Sequence, residues 1–214
     1  MKSDSQMLRT IEQESVGCEQ AWVPILDRAV GRAAARRLAG RFVSIGALLE
    51  AVRDSECAVP GSPVDRDLAR LQRAFRLTVT LLQAELAERP VLSSPGAVRE
   101  FLLSHLAWRQ AEAFWVLFLD SQNRLLVAQE MFRGTLSQTA VYPREIVRKA
   151  LEVNAGAVIF AHNHPSGVCE PSHADRLLTD ALKSALGHLE IRVLDHLIVG
   201  TGGNTMSFAE QGLM

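Results

Sequence analysis

The stretch AGAVIFAHNHPSG, residues 155–167, decides how this chain is read. Its apolar first part predicts a strand buried on both faces. Side chains two positions apart on a strand share a face, so His162 and His164 point one way and Asn163 the other. Pro165, Ser166 and Gly167 then turn the chain sharply and leave the histidine face open. Asp175 follows in the first turn of a predicted helix, SHADRLLTDALKSAL, residues 172–186. The pattern His-x-His-x10-Asp offers two nitrogens and a carboxylate. Three protein ligands with one position left for water is the outline of a hydrolytic zinc site. Such an ion brings the pKa of its water toward 7 and polarises a carbonyl. Two blander readings compete. Histidines at a strand end can be rim residues, and Ser172 with Asp175 resembles a helix capping box. Cap and ligand are expected to compete for one Asp175 rotamer.

Working outward, EAFWVLFLD (112–120) and RLLVAQE (124–130) flank the turn SQN and predict a β-hairpin. REIVRKALEVNA (144–155) predicts a helix with Ile146, Val147, Ala150 and Leu151 on one side. EIRVLDHLIVG (190–200) predicts one or two strands, and NTMSFAEQGLM (204–214) an edge strand and tail. VGTGGN (199–204) reads as a turn, because no helix follows its glycines as a phosphate loop requires. The amino half reads as all-helical. WVPILDRAVGRAAARRLAGRF (22–42) predicts a helix, and SIGALLEAV (44–52) a second, capped by Ser44. Pro60, Gly61 and Pro63 break the chain. Leu68, Leu71, Phe75, Val79, Leu82 and Leu86 then recur at helical steps as far as Arg89-Pro90. SSPGAVREFLLSHLAWR (93–109) predicts a further helix, with Ser94 as cap and Pro95 in its first turn. The expected organisation is a loose tail over 1–20, a helical region over 21–92 and a mixed α/β domain over 93–214.

The bulk properties exclude several classes. The chain has 214 residues, 48% hydrophobic and 22% charged, which is ordinary globular composition. A net charge of −1 gives no global attraction to nucleic acid. No apolar run reaches the roughly eighteen residues of a membrane span. MKSDSQMLRTIEQES lacks an apolar signal core, which predicts a protein that stays in the cytoplasm. Cys18, Cys57 and Cys169 are far apart and suggest neither a disulfide framework nor a cysteine zinc site.

A hydrolase of this type also needs a general base. Glu112, Glu130 and Glu145 are the candidates, and residue chemistry alone does not choose among them. HNHPSG followed by PSHAD resembles the JAMM (MPN+) metalloprotease signature, His-x-His-Pro-x-Gly with a downstream Ser-x-x-Asp. More closely, residues 108–214 resemble the RadC family, through FWVLFLDSQNRLL, FRGTL, VYPREIVRKAL, NAGAVIFAHNHPSG, PSHAD, LDHLIVG and SF. The resemblance implies a cytidine-deaminase-like α/β core: a mixed sheet flanked by helices, holding Zn2+ at its edge. It implies His162, His164 and Asp175 as metal ligands, Glu112 as general base and Ser172 as oxyanion donor. The implied activity is zinc-dependent hydrolysis of a peptide or isopeptide bond in a protein or peptide substrate. The alternatives are another amidohydrolase, a DNA-associated repair or recombination factor, and a non-catalytic metal-binding scaffold. Cys169 is read as incidental. His196 is read as structural, bonding Asp195 locally or bordering the site. His105, His173 and His188 are read as non-catalytic.

Members of that family usually carry a helix-hairpin-helix before the core, and residues 33–52 resemble part of one. Where its glycine-rich phosphate turn is expected, this chain has AVPGSPV (58–64), whose prolines donate no amide hydrogen. Arg28, Arg32 and Arg36 are spaced one helical turn apart as a candidate DNA-phosphate stripe, with a solvated helix face as the plain alternative.

Overall fold

The computed structural model describes residues 22–53, 61–107, 109–134 and 141–214. The N-terminal tail, Cys18, Cys57 and the AVP of AVPGSPV lie outside the described residues. The chain forms two compact units, divided between Leu77 and Thr78.

The first unit is helical. α1 spans Val23–Val30, α2 Arg32–Arg41 and α3 Ile45–Arg53. The single helix expected over 22–42 is therefore two. Gly31 adopts φ +83°, a conformation glycine takes without steric cost, and ends α1 with its N–H on the Asp27 carbonyl. This break also interrupts the arginine stripe: Arg28 belongs to α1, Arg32 and Arg36 to α2, and Arg32 pairs with Asp27 at 3.6 Å. Ser44 caps α3 as expected, its Oγ accepting from the Ala47 N–H at 3.2 Å. α4, Pro63–Glu88, belongs to this unit as far as Leu77 and carries the predicted apolar stripe. Ser62 and Asp65 box its start, with Asp65 Oδ2 accepting from the Ser62 N–H and hydroxyl. Trp22, Leu38, Leu48, Val52 and Leu68 form the core of this unit. Arg37 pairs with the buried Asp67 at 2.7 Å, and Arg41 with Asp65.

The second unit is a five-stranded sheet in the order β2-β1-β3-β4-β5. β1 is Ala113–Leu119, β2 Leu125–Arg133, β3 Ala157–His164, β4 Arg192–Gly200 and β5 Thr205–Ser207. β3 and β4 are parallel and the other pairs antiparallel. EIRVLDHLIVG thus yields one strand, and the glycines after it form the turn into β5, with Gly202 and Gly203 at positive φ. α5 is Pro95–Leu106, α6 Pro143–Glu152 and α7 His173–Gly187. Ser94 stands at the start of α5 without capping it; its hydroxyl lies 3.3 Å from Glu85 Oε1.

Alternation along the central strands builds two cores. Trp115, Leu117, Leu119, Ile159 and Ala161 pack with Phe101, Leu102 and Leu106 of α5 and Leu86 of α4. Phe114, Val116, Phe118, Val158 and Phe160 pack with α6 and α7 through Ile146, Ala150, Leu182 and Leu186. Phe101, Phe118 and Phe160 are fully buried. Burying a side chain of this kind is worth about 1.5–3 kcal/mol. By the same alternation, His162 and His164 continue the face of Val158 and Phe160, where α7 lies, and Asn163 continues the opposite face.

Candidate metal centre

His162, His164 and Asp175 come together at the C-terminal end of β3, one ligand atom of each lying within 4.8 Å of the others. The Nε2 atoms of the histidines are 2.9 Å apart. Asp175 Oδ1 is 3.3 Å from His162 Nε2, and Oδ2 is 3.5 Å from His164 Nε2. A tetrahedral ion with ligands at about 2.0–2.1 Å separates those ligands by about 3.3 Å. The two histidine–carboxylate separations lie close to that spacing, and the two histidine nitrogens are nearer to each other.

The proton positions also suit a cation. His164 Nδ1 is 2.7 Å from the Val168 carbonyl, which can only accept, so Nδ1 carries the hydrogen and a neutral ring leaves Nε2 bare. The bare Nε2 of a neutral His164 and the Asp175 carboxylate therefore face one another, and a proton or a metal ion placed between them satisfies both. Protonating Nε2 gains a hydrogen bond to Asp175, which raises the His164 pKa, with the Glu112 charge adding to it. Burial alone would raise the pKa of Asp175, but the adjacent His162 and His164 hold it well below the usual carboxylate range.

Asp175 does not have to choose between cap and ligand. Ser172 and Asp175 form a full capping box at the start of α7. Asp175 Oδ2 accepts from the Ser172 N–H at 2.8 Å and its hydroxyl at 2.6 Å, while both carboxylate oxygens face the histidines. The rivalry expected for one rotamer is absent, because a carboxylate has lone pairs enough for both. The box fixes the carboxylate for the site.

Glu112 directly precedes β1, two residues before Phe114, which pairs with His162. It is close enough for its charge to favour protonation of His164. Asn163, 2% exposed, holds the backbone on either side of it. Asn163 Oδ1 accepts from the Ala113 N–H at 2.8 Å, and Nδ2 donates to the Ala111 carbonyl at 3.1 Å. The other two acids are engaged elsewhere. Glu130 pairs with Trp115 across the β1–β2 ladder and forms ion pairs with Arg109 at 2.6 Å and Arg133 at 2.7 Å. Glu145 faces Arg148 on α6 at 3.1 Å.

Cys169 stands outside the triad. Its thiol lies 3.5 Å from the Asn204 carbonyl, and burial raises its pKa. His196 takes both of the places expected for it as alternatives. Its backbone N–H does bond Asp195 Oδ1 at 2.7 Å, but its fully buried ring lies against His162, with Nε2 2.8 Å from His162 Nδ1. Burial, and then the neighbouring histidines, push its pKa well below the ordinary imidazole value. Thr179 on α7 meets the other ring nitrogen at 2.7 Å. Sequence patterning does not single out Thr179; its one trace is a polar residue one turn beyond Asp175 on the buried side of α7. Among the described residues no helix is long and apolar enough to cross a membrane.

Residues 92–213 match the family model described as a RadC-like JAB domain. The chain is 49% identical over 180 residues to a UPF0758 protein of Nitrosospira multiformis, covering 84% of this chain and 80% of that one. It is 49% identical over 181 residues to a UPF0758 protein of Dechloromonas aromatica, with the same coverage. A UPF0758 protein of an Acidovorax strain is 48% identical over 192 residues, 89% of this chain and 78% of the relative. With its mixed sheet between helices and its His-His-Asp cluster at a strand end, the chain belongs to the RadC (UPF0758) family of JAB-domain proteins.

Proposed function

We propose that this protein is a zinc-dependent hydrolase of the JAMM type, acting on a peptide or isopeptide bond, with a cytidine-deaminase-like core. The observation that carries the reading is the convergence of three donors within 4.8 Å on the open end of β3. His162, His164 and Asp175 would hold the ion, and two nitrogens with one carboxylate are a zinc-type donor set. When bound, zinc supplies a Lewis acid that polarises the scissile carbonyl and acidifies water. Glu112 is the general base in this reading. It takes a proton from the attacking water and returns it to the leaving amine. The charge it places beside His164, and the backbone clamp from Asn163, support that role. Ser172 is the candidate oxyanion donor. Its hydroxyl hydrogen is on Asp175, so that role requires the hydroxyl to turn away from the carboxylate.

Protein purified without chelator and assayed for metal should carry about one zinc per chain. H162A should lose it. E112A should keep it and lose cleavage of a mixed peptide and isopeptide library. A wild-type protein with no zinc, or with zinc content indifferent to H162A, overturns the site. Metal-loaded wild type that cleaves nothing in the library favours the non-catalytic scaffold. A salt-sensitive DNA complex abolished by neutralising Arg28, Arg32 and Arg36 would favour the nucleic-acid reading instead.

A further inference from the structure

Behind the triad, a chain of buried polar contacts runs from the backbone of α7 to His162. The Thr179 hydroxyl is 2.7 Å from the Asp175 carbonyl oxygen and 2.7 Å from His196 Nδ1. His196 Nε2 is 2.8 Å from His162 Nδ1. Each contact is short enough to contain a hydrogen. The first contact sets the direction of all the others. A carbonyl oxygen cannot donate, so the single hydroxyl hydrogen of Thr179 lies toward Asp175. The threonine oxygen must then accept from His196 Nδ1–H. His196 is 0% exposed, with the rings of Phe114, Phe160 and Phe208 centred 5.6, 5.9 and 4.7 Å from its own. That setting disfavours a second proton, so Nε2 is an acceptor. It accepts from His162 Nδ1–H, so His162 Nε2 is an acceptor, open to a proton shared with His164 at 2.9 Å or to a metal ion in its place.

We propose that Thr179 and His196 are positioning residues that hold His162 in the one tautomer and ring orientation able to ligate a metal through Nε2. The relay rests on the reading of the triad as a metal site. It begins at the backbone carbonyl of Asp175, the residue whose side chain closes that triad. One turn of α7 therefore supplies a ligand and, four residues later, the group that orients another ligand. The parallel pairing of Phe160 with His196 brings β4 to the required place beside His162. Neither Thr179 nor His196 would touch the ion. Partners of this kind behind a metal-bound histidine are worth about 10–100-fold in metal affinity.

Two measurements on the full chain separate the relay from the metal site. The first is the tautomer of His162 in metal-free protein, read from ring-nitrogen NMR shifts at a pH where the imidazoles are neutral. The wild type should show a protonated Nδ1 and a bare Nε2. T179V should show a mixture of tautomers, and T179S the wild-type pattern. The second is Co2+ affinity by competition with a chromophoric chelator, together with the Co2+ absorption spectrum. T179V and H196L should bind about 10–100-fold more weakly. T179S, and H196Q with an amide oxygen near the place of Nε2, should remain within about threefold of wild type. Thermal unfolding without metal identifies any variant that has lost its fold, and T179V, at a small hydroxyl-to-methyl change, is the decisive one. A folded T179V with wild-type tautomer and wild-type Co2+ affinity overturns the relay. A wild type with the stated tautomer that binds no Co2+ overturns the metal reading and leaves the relay standing.

Discussion

Replacing Gly200 with alanine should perturb the candidate metal site from the strand beside it. Gly200 ends β4 and pairs in parallel register with His164. A Cβ there would stand 2.6 Å from the Gly167 carbonyl oxygen and 2.6 Å from Cys169 Sγ. An ordinary contact would require each to retreat by roughly 0.5–1 Å. The sulfur ends a rotatable side chain and can move. The carbonyl belongs to the PSG turn, whose backbone is fixed by the Gly167 N–H on the His164 carbonyl at 3.0 Å and by Thr201 Oγ1 on the Pro165 carbonyl at 3.2 Å. The turn must shift as a piece, and Val168, whose carbonyl orients His164, shifts with it. Overpacking of this kind costs about 1–3 kcal/mol. Misplacing one ligand should weaken metal binding by about 10-fold or more. Urea unfolding measures the first effect and Co2+ competition the second. G200A/C169A should recover a part only, because the carbonyl clash remains. G202A is the control: Gly202 has φ +91° with nothing within 4 Å of its Cβ position, so it should lose about 1 kcal/mol from backbone strain and match wild type in the Co2+ competition. G200A with wild-type urea midpoint and wild-type Co2+ affinity would refute the claim that the turn is packed against β4.

Three further outcomes are expected. N163A should lose about 1–3 kcal/mol in urea unfolding, since the Ala113 N–H is left buried without its acceptor, yet keep Co2+ affinity within about threefold because Asn163 lies on the face away from the histidines. S172A should cost about 1 kcal/mol through the lost cap and weaken Co2+ binding several-fold as Asp175 loses its hydroxyl donor, both measured in one titration series. E130Q should narrow the stability gap between pH 7 and pH 3. Burial alone would raise the Glu130 pKa, but Arg133 and Arg109 hold it lowered, so its contribution is present above the unfolded value of about 4.3 and lost as pH falls through the folded one. An equal acid loss in E130Q and wild type would remove Glu130 from that account.

Local patterning makes much of the α/β unit legible. Period-two alternation in AVIFAHNH is enough to put both histidines on one face, and the β1–β2 hairpin follows from apolar runs around SQN. The helical steps from Leu68 to Leu86 mark α4 over most of its length. The break at Gly31 is not legible in this way. Alanine and arginine propensity on both sides outweighs one glycine, whereas its positive φ ends the helix in the fold. Glu112, Glu130 and Glu145 are indistinguishable by chemistry alone. Strand pairing distinguishes two of them, placing Glu112 two residues before Phe114, the partner of His162, and Glu130 opposite Trp115, while Glu145 lies on α6 against Arg148.

The sequence by itself therefore determined which atoms can bind a metal: two histidines on one strand face and an acid at a helix start. These follow from spacing within single elements, where backbone geometry fixes direction over a few residues. Only the tertiary structure decided what orients those atoms. The contact of His196 with His162 spans 34 positions and depends on the β3–β4 register. The double use of Asp175 depends on where α7 sits over the sheet, so that a carboxylate capping the helix also faces the histidines. Register and helix placement come from burial of whole faces, and no short stretch of the chain encodes them.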